Sequence, residues 1–174
     1  VFLFLVIISS GSIFGAVVFK KKYTEMLPLT CTAIVAVLFG AGLLGILLPG
    51  VYFVFAVSGI LIIFSLIYAV LNRDLSGSLK RIFAADFVVF ALLIILFIVC
   101  DYGMEATGWD EFSHWMDTVK AMTYIDDLGT NPAANTVFPS YAPGTSLLEY
   151  LIQKLHLLFG GADFSEWKCI FVYQ

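Results

Sequence analysis

Four apolar runs, each long enough to cross a bilayer, leave this chain few ways to fold. They cover residues 1–19, 27–48, 51–71 and 82–100, and each holds 19 to 22 residues. About 20 residues of helix cross roughly 30 Å of hydrocarbon. Lipid offers no partner to backbone N–H and C=O groups, so the runs must be helical. Composition agrees: 61% of residues are hydrophobic and only 13% charged. Soluble domains run near half and a quarter. The expected fold class is all-α, a polytopic transmembrane helical bundle. It has four full spans plus a fifth started or partial, and an outer-face loop containing short interfacial helices. Run 1–19 lacks a basic n-region and a small-residue cleavage site, so it reads as a span rather than a signal peptide. The chain begins without Met and stops at "KCIFVYQ", inside a new apolar run. It is therefore expected to be an N-terminal fragment of a longer protein.

Charge placement orients the runs. "KKKYTEM" joins the first two, "PG" at Pro49-Gly50 joins the next two as a tight turn, and "NRDLSGSLKR" joins the last two. Six of the nine basic residues lie in the first and third connections: Lys20, Lys21, Lys22, Arg73, Lys80 and Arg81. The positive-inside rule puts those connections in the cytoplasm and everything after Cys100 outside. Beyond Asp101 there are nine of the thirteen acids and three lysines. The expected organisation is a four-helix transmembrane region at 1–100 and an outer-face loop with a candidate catalytic helix at 101–145. An apolar helix and the start of a further truncated helix follow at 146–174. The expected location is a bacterial plasma membrane, with 101–165 on the outer face.

Other features have plain structural explanations. Cys31, Cys100 and Cys169 show no metal-ligand spacing and behave as small hydrophobes. Gly11 and Gly15, like Ala41 and Gly45, are spaced for close helix packing. Asp86 is the single acid inside a run and lies near its cytoplasmic end, within reach of Arg81 or Lys80. No basic cluster suits nucleic acid.

The stretch "GWDEFSHW", residues 108–115, crowds ionisable groups into an otherwise oily chain. A helix is expected over 108–126, with Thr107 as N-cap and Asp110 completing a capping box. Trp109, Phe112, Trp115, Met116, Val119 and Met122 recur at helical spacing and suit the membrane interface. Asp110, His114 and Asp117 fall at i, i+4 and i+7, with Glu111 three residues before His114. Such spacing puts side chains on one face. The loop "DDLGTNPAANTVFPSYAPGT" follows. Ser146 and Glu149 form a second capping box opening a helix over 146–159, apolar enough to dip into the membrane. Asp163 and Glu166 open one more helix.

Bland accounts stand beside the functional one. Asp110 can be a helix cap, Glu111 and Asp117 a solvated face, and His114 an interface residue. Against them, an exposed acidic helix has no need of flanking tryptophans, and an interfacial helix favours Lys and Arg over Asp and Glu. The combination suits a water-accessible pocket at the membrane surface. Glu111-x-x-His114 is half of a di-iron motif whose other half is missing, and His156 lies in an apolar helix away from other ligands. No metal ligands are assigned, and no Ser-His-Asp or Gly-rich phosphate signature is present.

The order of features is an acidic pair after a span, a loop with a proline turn, and an apolar helix ending in "FG" before "SEW". The segment "WDEFSHWMDTVKAMTYIDDLG … YAPGTSLLEYLIQKLHLLFGGADFSEW" resembles the first outer loop of the GT-C membrane glycosyltransferases. It is most similar to the protein O-mannosyltransferase and lipid A aminoarabinose transferase group. The resemblance covers about residues 108–167. Ala142 stands where the group's turn has its first proline, and four runs precede the loop where the group has one span. The resemblance implies transfer of a sugar from a polyprenyl-phosphate donor to a glycan, lipid or protein acceptor on the outer face. It implies that Asp110 is the general base, with Glu111 beside it. His114, when protonated, would neutralise carrier phosphate, and Tyr141 would stack on the sugar or mark the lipid interface. Asp117, Trp109 and Trp115 complete the expected substrate-binding set. Membrane lipid is the expected partner, and a divalent cation is the one cofactor left open. The rival classes are a transporter fragment, which should carry paired charges near the bilayer midplane, and a non-catalytic scaffold or assembly protein.

Overall fold

The computed structural model describes residues 1–110, 115–139 and 144–174. It is all-helical, with 77% helix and no strand among the described residues. Two helices are long and apolar enough to cross a membrane: α2 (Tyr23–Leu43, 21 residues) and α3 (Leu47–Leu71, 25 residues). The helices α4 (Leu75–Ile82) and α5 (Ala85–Asp101) pass the same test together, but bent by 51° at their break. The first helix, α1 (Phe2–Val18), is apolar but has 17 residues. The described helices thus supply two candidate spans, or three with the bent pair, rather than four full ones. The causes are local. The first run stops short before Lys20, which is held in the left-handed region at φ 56°. The fourth run loses Ile82 to α4 and breaks at Phe83 and Ala84. The expected loop at 72–81 is mostly this short helix. Neither α7 (Gly144–Leu158, 15 residues) nor α8 (Glu166–Tyr173, 8 residues) has the length of a span.

The second connection also lies elsewhere than expected. Pro49 and Gly50 sit in the first turn of α3, where a proline's missing N–H costs nothing. The chain reverses instead at residues 44–46, around Gly45, whose φ of +68° is costly for residues with a Cβ. Gly45 therefore packs no helix. It is Gly50 that meets Ala41, where an added Cβ would stand 2.6 Å from the alanine methyl.

The chain divides into two compact units. One comprises Phe2–Ile34 and Phe53–Leu96. Here α1 lies close against α2, because Gly11 and Gly15 offer no side chain. A Cβ at Gly11 would come within 2.6 Å of Thr30 Oγ1, and one at Gly15 within 2.5 Å of Met26 Cγ. The hydroxyls of Ser9 and Tyr23 hydrogen-bond at 2.7 Å across the same pair. Arg81 fastens α4 to α1, its Nε donating to the Ala16 carbonyl at 2.7 Å. Its Nη2 ion-pairs with Asp74 at 2.6 Å. Arg81 is therefore not the partner of Asp86, whose carboxylate accepts from the Thr24 hydroxyl.

The other unit holds Val1, Val35–Tyr52 and Phe97–Gln174. Its helices are α6 (Met116–Ile125), α7 and α8, with α7 packed on both neighbours. Ala106, Met116, Val119 and Cys169 form a buried apolar cluster, covered by Trp115, Phe164 and Ile170. Gln153 ties α7 to the start of α8: its amide donates to the Ser165 carbonyl at 2.6 Å and accepts from the Ser165 N–H at 3.1 Å. Between α6 and α7 a 3-10 turn at Pro132–Ala134 is capped by Asn131. The apolar residues of α6 bury one face, as their spacing predicts, and Asp126 ends the helix in the left-handed conformation.

Candidate active site

The end of α5 and the chain that follows bring polar groups to the surface of an apolar unit. Residues 109–110 are helical, and Trp109 and Asp110 are both exposed. Asp110 lines a cavity of about 430 Å³ together with Gly108, Trp109, Trp115, Ile170 and Tyr173. Trp115 and Tyr173 stack at 5.1 Å with their planes 12° apart. An aromatic wall beside an exposed carboxylate can hold a ring against its face and accept a proton from it. Three of the expected residues, Trp109, Asp110 and Trp115, thus line one cavity. Asp117 lies in the first turn of α6, half-buried, and does not line it. Glu111, His114 and Tyr141 lie outside the described residues, so the shared face of Asp110, His114 and Asp117 runs through positions not described. The same holds for the proline turn around Pro143.

Two buried carboxylates, Asp101 and Glu149, were not among the expected site residues. Asp101, the last residue of α5, is 2% exposed; its Oδ1 accepts from the Gln174 amide at 3.3 Å and its Oδ2 has no partner among the described residues. Glu149 is not a capping residue, because α7 starts at Gly144 and places Ser146 and Glu149 inside the helix. The side chain is 1% exposed, and among the described residues its Oε2 has no hydrogen-bond partner. Burial raises its carboxyl pKa to about 8. The signal in the sequence was an acid within an otherwise apolar helix. Cys169, buried in the cluster beneath, has its thiol pKa pushed up by burial and then by the charge of Glu149, so it is unreactive. The acid Asp126 is satisfied: it accepts from Tyr150 at 2.9 Å and pairs with Lys154 at 2.5 Å. His156 lies beside Gly161, where a Cβ would meet its ring. Glu166 accepts from the Ala106 N–H at 2.8 Å, binding the chain after α5 to α8.

Among the described residues no group of three His, Cys, Asp or Glu stands close enough to hold a metal ion. No family model, curated protein or solved structure matches the chain.

Proposed function

We propose that this chain is the catalytic-loop portion of a polytopic GT-C-like membrane glycosyltransferase. It would take a sugar from a polyprenyl-phosphate donor and pass it to an acceptor hydroxyl at the outer membrane surface. The observation that carries the proposal is the setting of Asp110: an exposed carboxylate on a cavity of about 430 Å³ with tryptophan and tyrosine walls. The cavity follows directly on an apolar helix, where a lipid-borne substrate would arrive. In this proposal α1, α2, α3 and the bent α4–α5 pair are four crossings. The basic connections are cytoplasmic, and residues 101–165 are outside.

The chemistry needs one base. The acceptor oxygen attacks the anomeric carbon as the bond from that carbon to the phosphate oxygen breaks. The electron pair leaves with the phosphate, and the acceptor proton passes to Asp110. A positioned carboxylate contributes about 10²–10⁴-fold in such a step. A single displacement inverts the anomeric centre. The Trp115–Tyr173 pair supplies a face for a sugar ring, and Trp109 sits at the interface. Glu111, His114 and Tyr141 enter from sequence position alone, as a second carboxylate, a phosphate partner and a sugar contact.

The test is Asp110→Asn in the full-length protein, assayed for sugar transfer from polyprenyl-phosphate donors. Transfer should fall at least about a hundredfold, in line with the loss of a general base, with expression unchanged. Undiminished transfer by a well-expressed variant removes Asp110 from the base role.

A further inference from the structure

The basic end of the first unit carries more than a count of charges explains. Six cations gather there, Lys20, Lys21, Lys22, Arg73, Lys80 and Arg81, against three carboxylates, Glu25, Asp74 and Asp86. All three carboxylates are engaged: Asp74 by Arg81, Asp86 by the Thr24 hydroxyl, and Glu25 by the Lys22 N–H at 3.2 Å. Arg81 is itself spent on Asp74 and the Ala16 carbonyl. Only Asp74 is paired with a cation, and Glu25 and Asp86 keep their charge, so six cations against three carboxylates leave a net charge of +3, with Lys20, Lys21, Lys22, Arg73 and Lys80 all exposed.

The helix α4 gives this surface an orientation. Ser78 is buried and Arg81 points at α1, which fixes one side inward. Leu75 and Leu79 recur at i and i+4 and Phe83 follows at i+8; all three are exposed, at 44%, 45% and 59%. Lys80 is exposed next to that stripe. Apolar groups on one side and cations beside them are the pattern of a helix lying in a membrane interface. Beside α4 a cavity of about 160 Å³ is lined by Lys20, Tyr68, Asn72, Asp74 and Ser78, among others. That is the space of roughly five waters. Lys20 and Arg73 both sit in the left-handed region, at φ 56° and 53°.

We infer that α4 and its flanking connections form a docking surface for the headgroups of anionic phospholipids. The apolar stripe would sit at the headgroup–acyl boundary, and Lys20, Arg73 and Lys80 would meet lipid phosphate. Charge complementarity selects this occupant, because a neutral headgroup leaves the net positive charge of the surface unanswered. The positive-inside rule alone needs only the charges. It requires neither the exposed stripe nor the polar cavity beside it. The inference rests on the apolar helices and is independent of the glycosyltransferase proposal.

The experiment titrates short-chain phosphatidylglycerol, and phosphatidylcholine of the same chain length, into the detergent-solubilised whole chain. Bound lipid is counted by native mass spectrometry. Phosphatidylglycerol should bind at least about fivefold more tightly, the worth of one basic residue near a charged surface. The variant Lys20→Asn/Arg73→Asn/Lys80→Gln should bring the ratio near one. Asparagine is chosen at positions 20 and 73 because it tolerates the left-handed backbone. If the triple variant fails to fold, Lys80→Glu alone is measured and should at least halve the ratio. Equal affinity for the two lipids in the unmodified chain overturns the inference. So does a preference that survives the substitutions. Loss of the preference to millimolar inorganic phosphate at matched ionic strength also overturns it, since the surface would then take the free ion.

Discussion

A carboxyl group at position 149 sits where water does not reach it and where no described group donates to its Oε2. The unfolded chain titrates such a carboxyl near 4.5, whereas the folded chain holds its proton to about pH 8. Between those values the folded state binds more protons than the unfolded one. Stability therefore falls as pH rises through this window and levels off above it. Each unit of difference is worth about 1.4 kcal/mol, so the full loss is a few kcal/mol. Glu149→Gln keeps the shape and removes the titration. The unmodified protein should melt at a lower temperature at pH 9 than at pH 5, and the variant should lose much less over the same interval. Parallel pH profiles for the two proteins would mean that Glu149 finds a charge partner in solution. Sequence position misjudged this residue because a Ser-x-x-Glu pattern looks the same at a helix start and inside one. Only the true start of α7 at Gly144 separates the two.

At the scale of elements, the small residues of α1 determine how near α2 can come. An added side chain at Gly11 meets Thr30, whose branched Cβ has little room to rotate away: Oγ1 at 2.6 Å, Cγ2 at 2.8 Å and Cβ at 3.2 Å. Gly11→Leu should push the helices apart and break the 3.4 Å contact between Ser12 and Thr30. A cost of about 1–3 kcal/mol is expected for such overpacking, read as a lower unfolding temperature in detergent. Gly40→Leu, with open space around it, is the control and should leave the temperature nearly unchanged. Equal effects at both positions would make helix propensity rather than packing the cause. This packing was legible from the G-x-x-x-G spacing, as was the buried face of α6 from its periodicity. Helix ends were less so. Pro49-Gly50 carries the usual turn signature, yet a proline fits the first turn of a helix equally well. The reversal fell to Gly45, which spacing had placed in a packing motif. The same ambiguity hid α4: "SLKR" is polar enough to be a loop, and its amphipathic face emerges only when Ser78 and Arg81 are seen against α1. Of the candidate site, clustering picked out Trp109, Asp110 and Trp115. It could not supply Ile170 and Tyr173, which reach the same cavity from a helix some fifty residues later.

For the whole molecule, the glycosyltransferase proposal turns on which segments share a side of the membrane. The three-lysine connection and the α3–α4 connection lie at one end of their unit, since Lys20 and Asn72 line the same cavity. Residues 85–101 form one helix of 17 residues. A straight helix of that length rises about 25 Å, close to the hydrocarbon thickness. The glycosyltransferase proposal needs this helix to cross, because its base and its lipid-borne donor must meet on the side opposite the basic connections. Single cysteines can decide the matter once Cys31, Cys100 and Cys169 are replaced by alanine. Ser76→Cys places a thiol on exposed α4, and Ala133→Cys places one in the exposed 3-10 turn. In sealed, right-side-out vesicles a membrane-impermeant maleimide should label position 133 and spare position 76 until the bilayer is opened. Labelling both from outside, or neither, would put the two sites on one side. Then α5 would not cross, and Asp110 would face the same compartment as the lysines. Reversed labelling would keep the crossing but invert the molecule, moving the proposed chemistry to the cytoplasmic face. Only labelling of position 133 alone leaves Asp110 where an outward-facing donor can reach it.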